Sequence, residues 1–232
     1  MNLGGKVPIS TVDWYGKAVF VIFFRKCPIR CIYCHNHAIL DGENYVSFDE
    51  LENEILKTKD FIDGVVFSGG EAFLQFDALK HLASFVKGSS LLVGIETNGF
   101  YPDRIKAVLD KCLVDKIFLD VKAPLGDDAL YEKICGVKGV SENVRKSIKI
   151  CNNRVDLELR TTVFKNLIGE SEVKKIASEI KDVNCTYVIQ EGRPELSPLK
   201  NMEQDCLFKR EEIIKIAKSV PFTEVIIRTK DH

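Results

Sequence analysis

Ala18-Val-Phe-Val-Ile-Phe-Phe24 is followed, two residues later, by Cys27-Pro-Ile-Arg-Cys31-Ile-Tyr-Cys34. The first stretch is a continuous apolar run rich in β-branched and aromatic side chains, with no alternation of polar residues. Such a run suits a strand covered on both faces, as in a parallel sheet, and at seven residues it is far too short to span a membrane.

The same kind of run recurs down the chain. Gly64-Val-Val-Phe67, residues 91–95, Lys116-Ile-Phe-Leu-Asp-Val121, Val155-Asp-Leu-Glu-Leu-Arg160 and Thr186-Tyr-Val-Ile-Gln190 read as strands, with residues 224–228 as a seventh. Amphipathic stretches lie between them. Ser47-Phe-Asp-Glu50 reads as a capping box leading into Leu51, Ile55 and Leu56 at helical spacing. Residues 76–86, 101–109, 143–151, 170–180 and 209–220 show similar periodicity. Strands alternating with helices imply right-handed βαβ units. The expected fold is therefore α/β, a partial (open) parallel barrel of about six β/α units in a single domain, residues 1–232. A doubly wound sheet is the competing architecture, and the chain has no G-x-G-x-x-G to support a dinucleotide-binding version of it.

Composition narrows the function. Hydrophobic residues make up 45% and charged residues 29%, ordinary for a globular protein. Thirty-three basic residues against thirty-four acidic ones leave a formal charge of −1, which removes any general electrostatic case for nucleic-acid or membrane-surface binding. Residues 1–6 show no apolar segment with a small-residue cleavage site, so a cytoplasmic protein is expected.

Eight cysteines stand out against that background. Cys27, Cys31 and Cys34 crowd into one loop directly after the first strand. Cys112, Cys135, Cys151, Cys185 and Cys206 are scattered and read as small buried hydrophobes. Three thiolates in one loop suit an iron–sulfur cluster. On a [4Fe–4S] cube they leave one iron open for a reactant. A Cys3His zinc site completed by His35 or His37, and a cluster serving only electron transfer, remain open on spacing alone.

C-x3-C-x2-C with an aromatic before the last cysteine, here Tyr33, resembles the signature of radical S-adenosylmethionine enzymes. The resemblance implies a [4Fe–4S] cluster and S-adenosylmethionine as cofactors, with the open iron chelating the amino and carboxylate groups of the latter. Later strand ends fit it in order. Ser68-Gly69-Gly70-Glu71 is similar to the family's GGE motif, which holds the cofactor's amino group; Ala72 stands where proline is usual. Glu96-Thr97-Asn98-Gly99 and Asp120-Val-Lys122 resemble the strand ends of glycyl-radical-activating enzymes. By that likeness Glu96 and Asn98 are ribose or backbone partners, and Lys122 pairs with the cofactor carboxylate. Glu96, Thr97 and Asp120 sharing a monovalent cation is a weaker carry-over. Arg160, at the end of strand five, has the geometry to grip a carboxylate, and Gln190-Glu-Gly-Arg-Pro194 forms a substrate-facing or adenine-facing loop. Lys122 and Arg160 are thus the candidate catalytic residues. The cofactor-binding candidates are Tyr33, Gly69, Gly70, Glu71, Glu96, Asn98, Asp120, Lys122 and Arg160.

Ser10-Thr-Val-Asp13, Gly16-Lys17 and Cys34-His-Asn36 bring the likeness to the activating proteins of anaerobic ribonucleoside-triphosphate reductases. That implies an oxidoreductase generating a glycyl radical on a large partner enzyme, fed by an electron donor such as flavodoxin or ferredoxin. A radical enzyme modifying a small metabolite or an RNA base is the alternative. A zinc-binding or electron-transfer module is the other. His81 and His232 show no evident ligand partner.

Overall fold

A computed structural model describes residues 1–198, 206–222 and 225–230; Glu224 of the last apolar run and His232 lie outside the described residues. Among the described residues, eight strands form one sheet in strictly sequential order. They are β1 (Leu3–Ser10), β2 (Val19–Phe24), β3 (Gly64–Gly69), β4 (Leu92–Thr97), β5 (Lys116–Asp120), β6 (Asp156–Val163), β7 (Thr186–Glu191) and β8 (Val225–Arg228). Strands β2 to β8 are parallel, and β1 runs antiparallel to β2. Because the strand order never reverses, the chain winds in one direction, as a barrel does and a doubly wound sheet does not. β1 and β8 are the two edges and do not pair with each other, so the barrel is open.

Every expected strand is present. β1 is an addition that the sequence hides: two glycines and Pro8 interrupt its apolar pattern. Proline is tolerated because β1 is an edge, and the pairing slips on either side of it, between Val7 and Ser10.

The helices are α1 (Phe48–Thr58), α2 (Phe76–Gly88), α3 (Pro102–Asp110), α4 (Asp128–Cys135), α5 (Val140–Cys151), α6 (Glu170–Ile180) and α7 (Arg210–Lys218). The Ser47 hydroxyl caps α1 by accepting from the Glu50 amide, 3.1 Å. The Glu50 carboxylate instead turns to Lys6 at 3.6 Å, and Leu56 ends up exposed on the outer surface. The short α4 was not expected. Asp127 caps its start by accepting from Leu130 N, and Gly136 closes its end in the left-handed region at φ 69°.

Alternate strand residues face two different cores. Phe20, Ile22, Phe24, Phe67, Ile95, Leu119 and Leu159 pack beneath the helices. Val19, Val21, Val66 and Phe118 point to the other face, where Trp14 covers them. Trp14 meets Phe118 edge-on at 5.6 Å and lies over Gly94, where a Cβ would come within 2.9 Å of the indole. The N-terminal segment therefore plugs the base of the open barrel and leaves the C-terminal strand ends free for chemistry.

Candidate active site

The cysteine loop leaves β2 and is pinned to the end of β3. Gly70 N donates to Phe24 O at 2.8 Å, Glu71 N donates to Lys26 O at 3.0 Å, and Asn36 Nδ2 donates to Gly69 O at 3.0 Å. The two glycines are required by this approach. A Cβ on Gly69 would stand 2.3 Å from Phe24 O, and one on Gly70 would stand 2.1 Å from Lys26 O. Their close neighbour is the backbone that carries the cysteines. On its other side the loop docks on the end of α4, where Arg30 N and Ile32 N donate to the carbonyls of Cys135 and Ile134.

Cys27, Cys31 and Cys34 are all free thiols, partly exposed. Their environments differ. A hydrogen bond with the buried Cys135 thiol, helped by the charge of Lys122, lowers the Cys31 pKa to about 7 against the cost of burial. Burial, followed by the nearby Glu71 charge, pushes Cys27 up to about 12. Burial and the charge of Cys31 raise Cys34. Cys135, taken from sequence as a bystander, is thus a direct neighbour of the loop. Its long separation in sequence gave no sign of that.

Glu71 is 1% exposed, and its carboxylate accepts from Phe73 N (3.1 Å), Thr97 Oγ1 (2.9 Å) and Asn98 N (2.9 Å). Burial raises its pKa to about 7 in spite of these donors. Three donors occupy part of its acceptor capacity and lock the end of β3 to the end of β4; a lone pair remains for a ligand. Asn98 Nδ2 points at Cys27 Sγ, 3.4 Å away. That links the β4 end to the cysteine loop.

Lys122 and Asp120 form an ion pair at 2.8 Å. Burial alone would depress the lysine, but Asp120 and the surrounding thiols hold its pKa well above the usual value. Its ammonium also lies 5.9 Å from the Tyr33 ring. Tyr33 is buried and meets the Phe164 ring at a tilt of 36°, and its hydroxyl has no partner among the described residues. Glu96 joins two strands, accepting from Ser68 Oγ and pairing with Arg160 Nη1, each at 2.5 Å.

The expected site residues on β2 to β5 lie at the C-terminal strand ends or in the loops that follow them, whereas Arg160, expected at a strand end, sits inside β6, which runs on to Val163 because Thr161, Thr162 and Val163 keep pairing with β7. Sequence reasoning did not single out Glu158 or Arg228, which extend the Glu96–Arg160 pair along the inner face. The polar residues that alternate with apolar ones in β6 were the available signal.

The donor set fits an iron–sulfur cluster. Three thiols share a short loop, the pKa of Cys31 is lowered to about 7, and the Asn98 amide is aimed at the sulfur of Cys27. Among the described residues no three His, Cys, Asp or Glu side chains are placed to hold a metal ion, so the fit is one of donor chemistry. His81, away from this site, pairs with Glu52 at 2.7 Å and stacks on Phe48.

Comparison with known proteins gives the family. Residues 21–188 match the Radical SAM superfamily. The chain belongs to the radical SAM superfamily. It is an enzyme of that superfamily, and its relatives are of the glycyl-radical-activating type. One from Methanocaldococcus jannaschii, named a glycyl-radical enzyme activating enzyme, is 33% identical over 236 residues, covering 98% of this chain and 95% of that protein. The pyruvate formate-lyase 1-activating enzyme of Escherichia coli K12 is 33% identical over 136 residues, 55% of this chain and 54% of that protein. In fold, the structure of TYW1 with a lysine–pyruvate adduct bound superposes with a TM-score of 0.66 at 17% identity, covering 89% of this chain and 74% of that one. The superfamily implies a [4Fe–4S] cluster and S-adenosylmethionine. No helix of the described residues is long and apolar enough to cross a membrane.

Proposed function

We propose that this chain is a glycyl-radical-activating enzyme that removes a hydrogen atom from a glycine Cα of a partner resembling an anaerobic ribonucleotide reductase. The observation that carries the reading is the match, over nearly the full length of both chains, to a relative of that name. The S-T-V-D segment and the order of the strand-end motifs narrow the partner.

Cys27, Cys31 and Cys34 would hold the cluster. When bound, the cluster supplies an electron to the sulfonium of S-adenosylmethionine, and cleavage of a C–S bond gives methionine and a 5′-deoxyadenosyl radical. The chain's own residues bind and orient. Gly69 and Gly70 bring the β3 end against the cysteine loop, Glu71 offers its remaining lone pair to the cofactor ammonium, and Asn98 supports Cys27. Lys122, kept cationic by Asp120, is set to receive the cofactor carboxylate, and Tyr33 packs against the cofactor. Glu96 and Arg160 line the way towards the substrate. The open edge between β1 and β8 suits the sideways entry of a protein loop.

One sheet carries all of these residues, which supports reading 1–232 as a single catalytic unit. A flavodoxin or ferredoxin is the fitting reductant. Eight cysteines without a disulfide among those described fit a reducing compartment such as the cytoplasm.

The test is to incubate reduced, cluster-loaded protein and S-adenosylmethionine with each co-encoded glycyl-radical protein and to record the paramagnetic resonance spectrum. A glycyl radical doublet on the partner is the expected result. Cofactor cleavage stimulated by a metabolite or RNA, with no doublet on any partner, would overturn the reading.

A further inference from the structure

Lys122 sits where the sheet stops. Val121 N still donates to Arg160 O on the neighbouring strand, at 2.8 Å. The next amide, that of Lys122, lies beyond the ladder, and a backbone N–H shielded from water needs an acceptor. It donates to the hydroxyl of Tyr131, 3.1 Å away. Tyr131 belongs to α4 and is 1% exposed. Phenylalanine would fill the same space, so packing alone does not account for a tyrosine there. The hydroxyl serves one backbone position, the one that carries the Lys122 ammonium.

The same helix also holds the cysteine loop. Its last turn accepts from Arg30 N and Ile32 N on the carbonyls of Cys135 and Ile134, at 2.8 and 3.0 Å. Tyr131 and Cys135 are four residues apart, about one turn of helix, and therefore share a face. A helix of eight residues thus touches both the loop that presents three thiols and the strand end that presents the ammonium. That ammonium donates to Asp120 at 2.8 Å, and a lysine carries three donors, which leaves capacity for an anionic ligand. The far end of the Lys122 loop is fixed as well. Glu179 on α6 accepts from Leu125 N at 2.6 Å and from Gly126 N at 2.8 Å. Pro124 O accepts from Asp127 N at 3.0 Å and closes the turn into α4.

We propose that Tyr131 is a positioning residue for Lys122, with Glu179 securing the far end of the same loop, and that α4 sets the Lys122 ammonium relative to the cysteine loop. A ligand that must reach both an open iron and a cation tolerates little error in their separation, and bonds from a rigid element to the backbone remove that error. The proposal rests on the functional reading above only in giving Lys122 the cofactor carboxylate.

Equilibrium dialysis of S-adenosylmethionine against cluster-loaded, unreduced protein reads affinity without turnover. Tyr131→Phe should keep the iron and sulfide content of the parent and weaken S-adenosylmethionine by about tenfold, the scale of one hydrogen bond. Lys122→Gln should weaken it at least as much. The double variant should bind as Lys122→Gln does, because Tyr131 then has nothing left to position. Glu179→Gln, an exposed change that loosens the grip on Leu125 and Gly126, should cost severalfold, again with no further loss on top of Lys122→Gln. It decides the matter if Tyr131→Phe does not fold. Unchanged affinity in Tyr131→Phe, loss of its cluster, or losses that multiply in the double variants would overturn the proposal, since a purely structural role adds to the effect of Lys122→Gln. Unchanged affinity in Lys122→Gln would refute the role given to Lys122 and the positioning role with it. The assay contains no partner protein, so a missing glycyl radical doublet counts against the proposed function and not against Tyr131.

Discussion

Asn98 holds its side-chain amide 3.4 Å from the sulfur of Cys27, across two strand ends that are seventy-one residues apart in the chain. An N–H group directed at a cluster sulfur stabilises the more negative, reduced state. Asn98→Ala should therefore retain the cluster but shift its midpoint to a more negative potential. The expected shift is on the order of 40 mV, equivalent to about 1 kcal/mol for one electron. A potentiometric titration followed by paramagnetic resonance would measure it, and an unchanged midpoint would remove Asn98 from this role.

Gly70 offers a sterner test of the loop geometry. A methyl group there meets Lys26 O at 2.1 Å, and backbone cannot turn aside as a flexible side chain can. Gly70→Ala should cost about 3 kcal/mol or more, with the loss focused on the cysteine loop. Iron and sulfide content after reconstitution should fall more steeply than helical content by circular dichroism. Ala72→Pro, which restores the usual family residue, is the companion variant and should keep the cluster.

Much of this site was legible because strand-end chemistry is written locally. Cys27, Cys31 and Cys34 announce themselves by spacing, and Glu71, Asn98, Lys122 and Arg160 each follow a recognisable apolar run. What stayed hidden depends on register and docking. Cys135 touches Cys31 only because the end of α4 receives the amides of Arg30 and Ile32. Arg228 reaches Glu158 only because β8 pairs beside β7 with Gln190 opposite Arg228. β1 was hidden for a different reason: its strand character comes from pairing with β2, against the local preference of Gly4, Gly5 and Pro8. The glycines of the GGE motif were read as admitting close backbone to a ligand; the backbone they admit is the chain's own.

Glu71 predicts a pH dependence of stability. Burial raises its pKa to about 7 in the folded chain, above its ordinary value when unfolded. Between the two values the folded state binds more protons, so stability is greatest below the unfolded value and falls as pH rises through about 7. The full difference corresponds to about 3 kcal/mol. Urea denaturation of the cluster-free protein from pH 5 to pH 8 should show a decline of that order, largely absent in Glu71→Gln. A flat profile in the parent protein would show that the three donors to Glu71 outweigh its burial.

Cys135 supplies the last test, because it asks whether the cluster has three protein ligands or four. The Cys135 thiol is buried and hydrogen-bonded to Cys31, close enough to the loop to be mistaken for a ligand. Its position on a helix end rather than in the loop makes it a packing and positioning group, and an open iron requires that it stay one. Cys135→Ala should leave iron and sulfide at the parent level while lowering stability by about 1 kcal/mol for the lost packing. It should also raise the Cys31 pKa, since the hydrogen bond that lowers it is gone. Thiol alkylation of the cluster-free protein across pH should show that change. Cys27→Ala, Cys31→Ala and Cys34→Ala should each prevent assembly. Loss of the cluster in Cys135→Ala with the fold intact would make it a fourth ligand and close the iron that the proposed chemistry needs open.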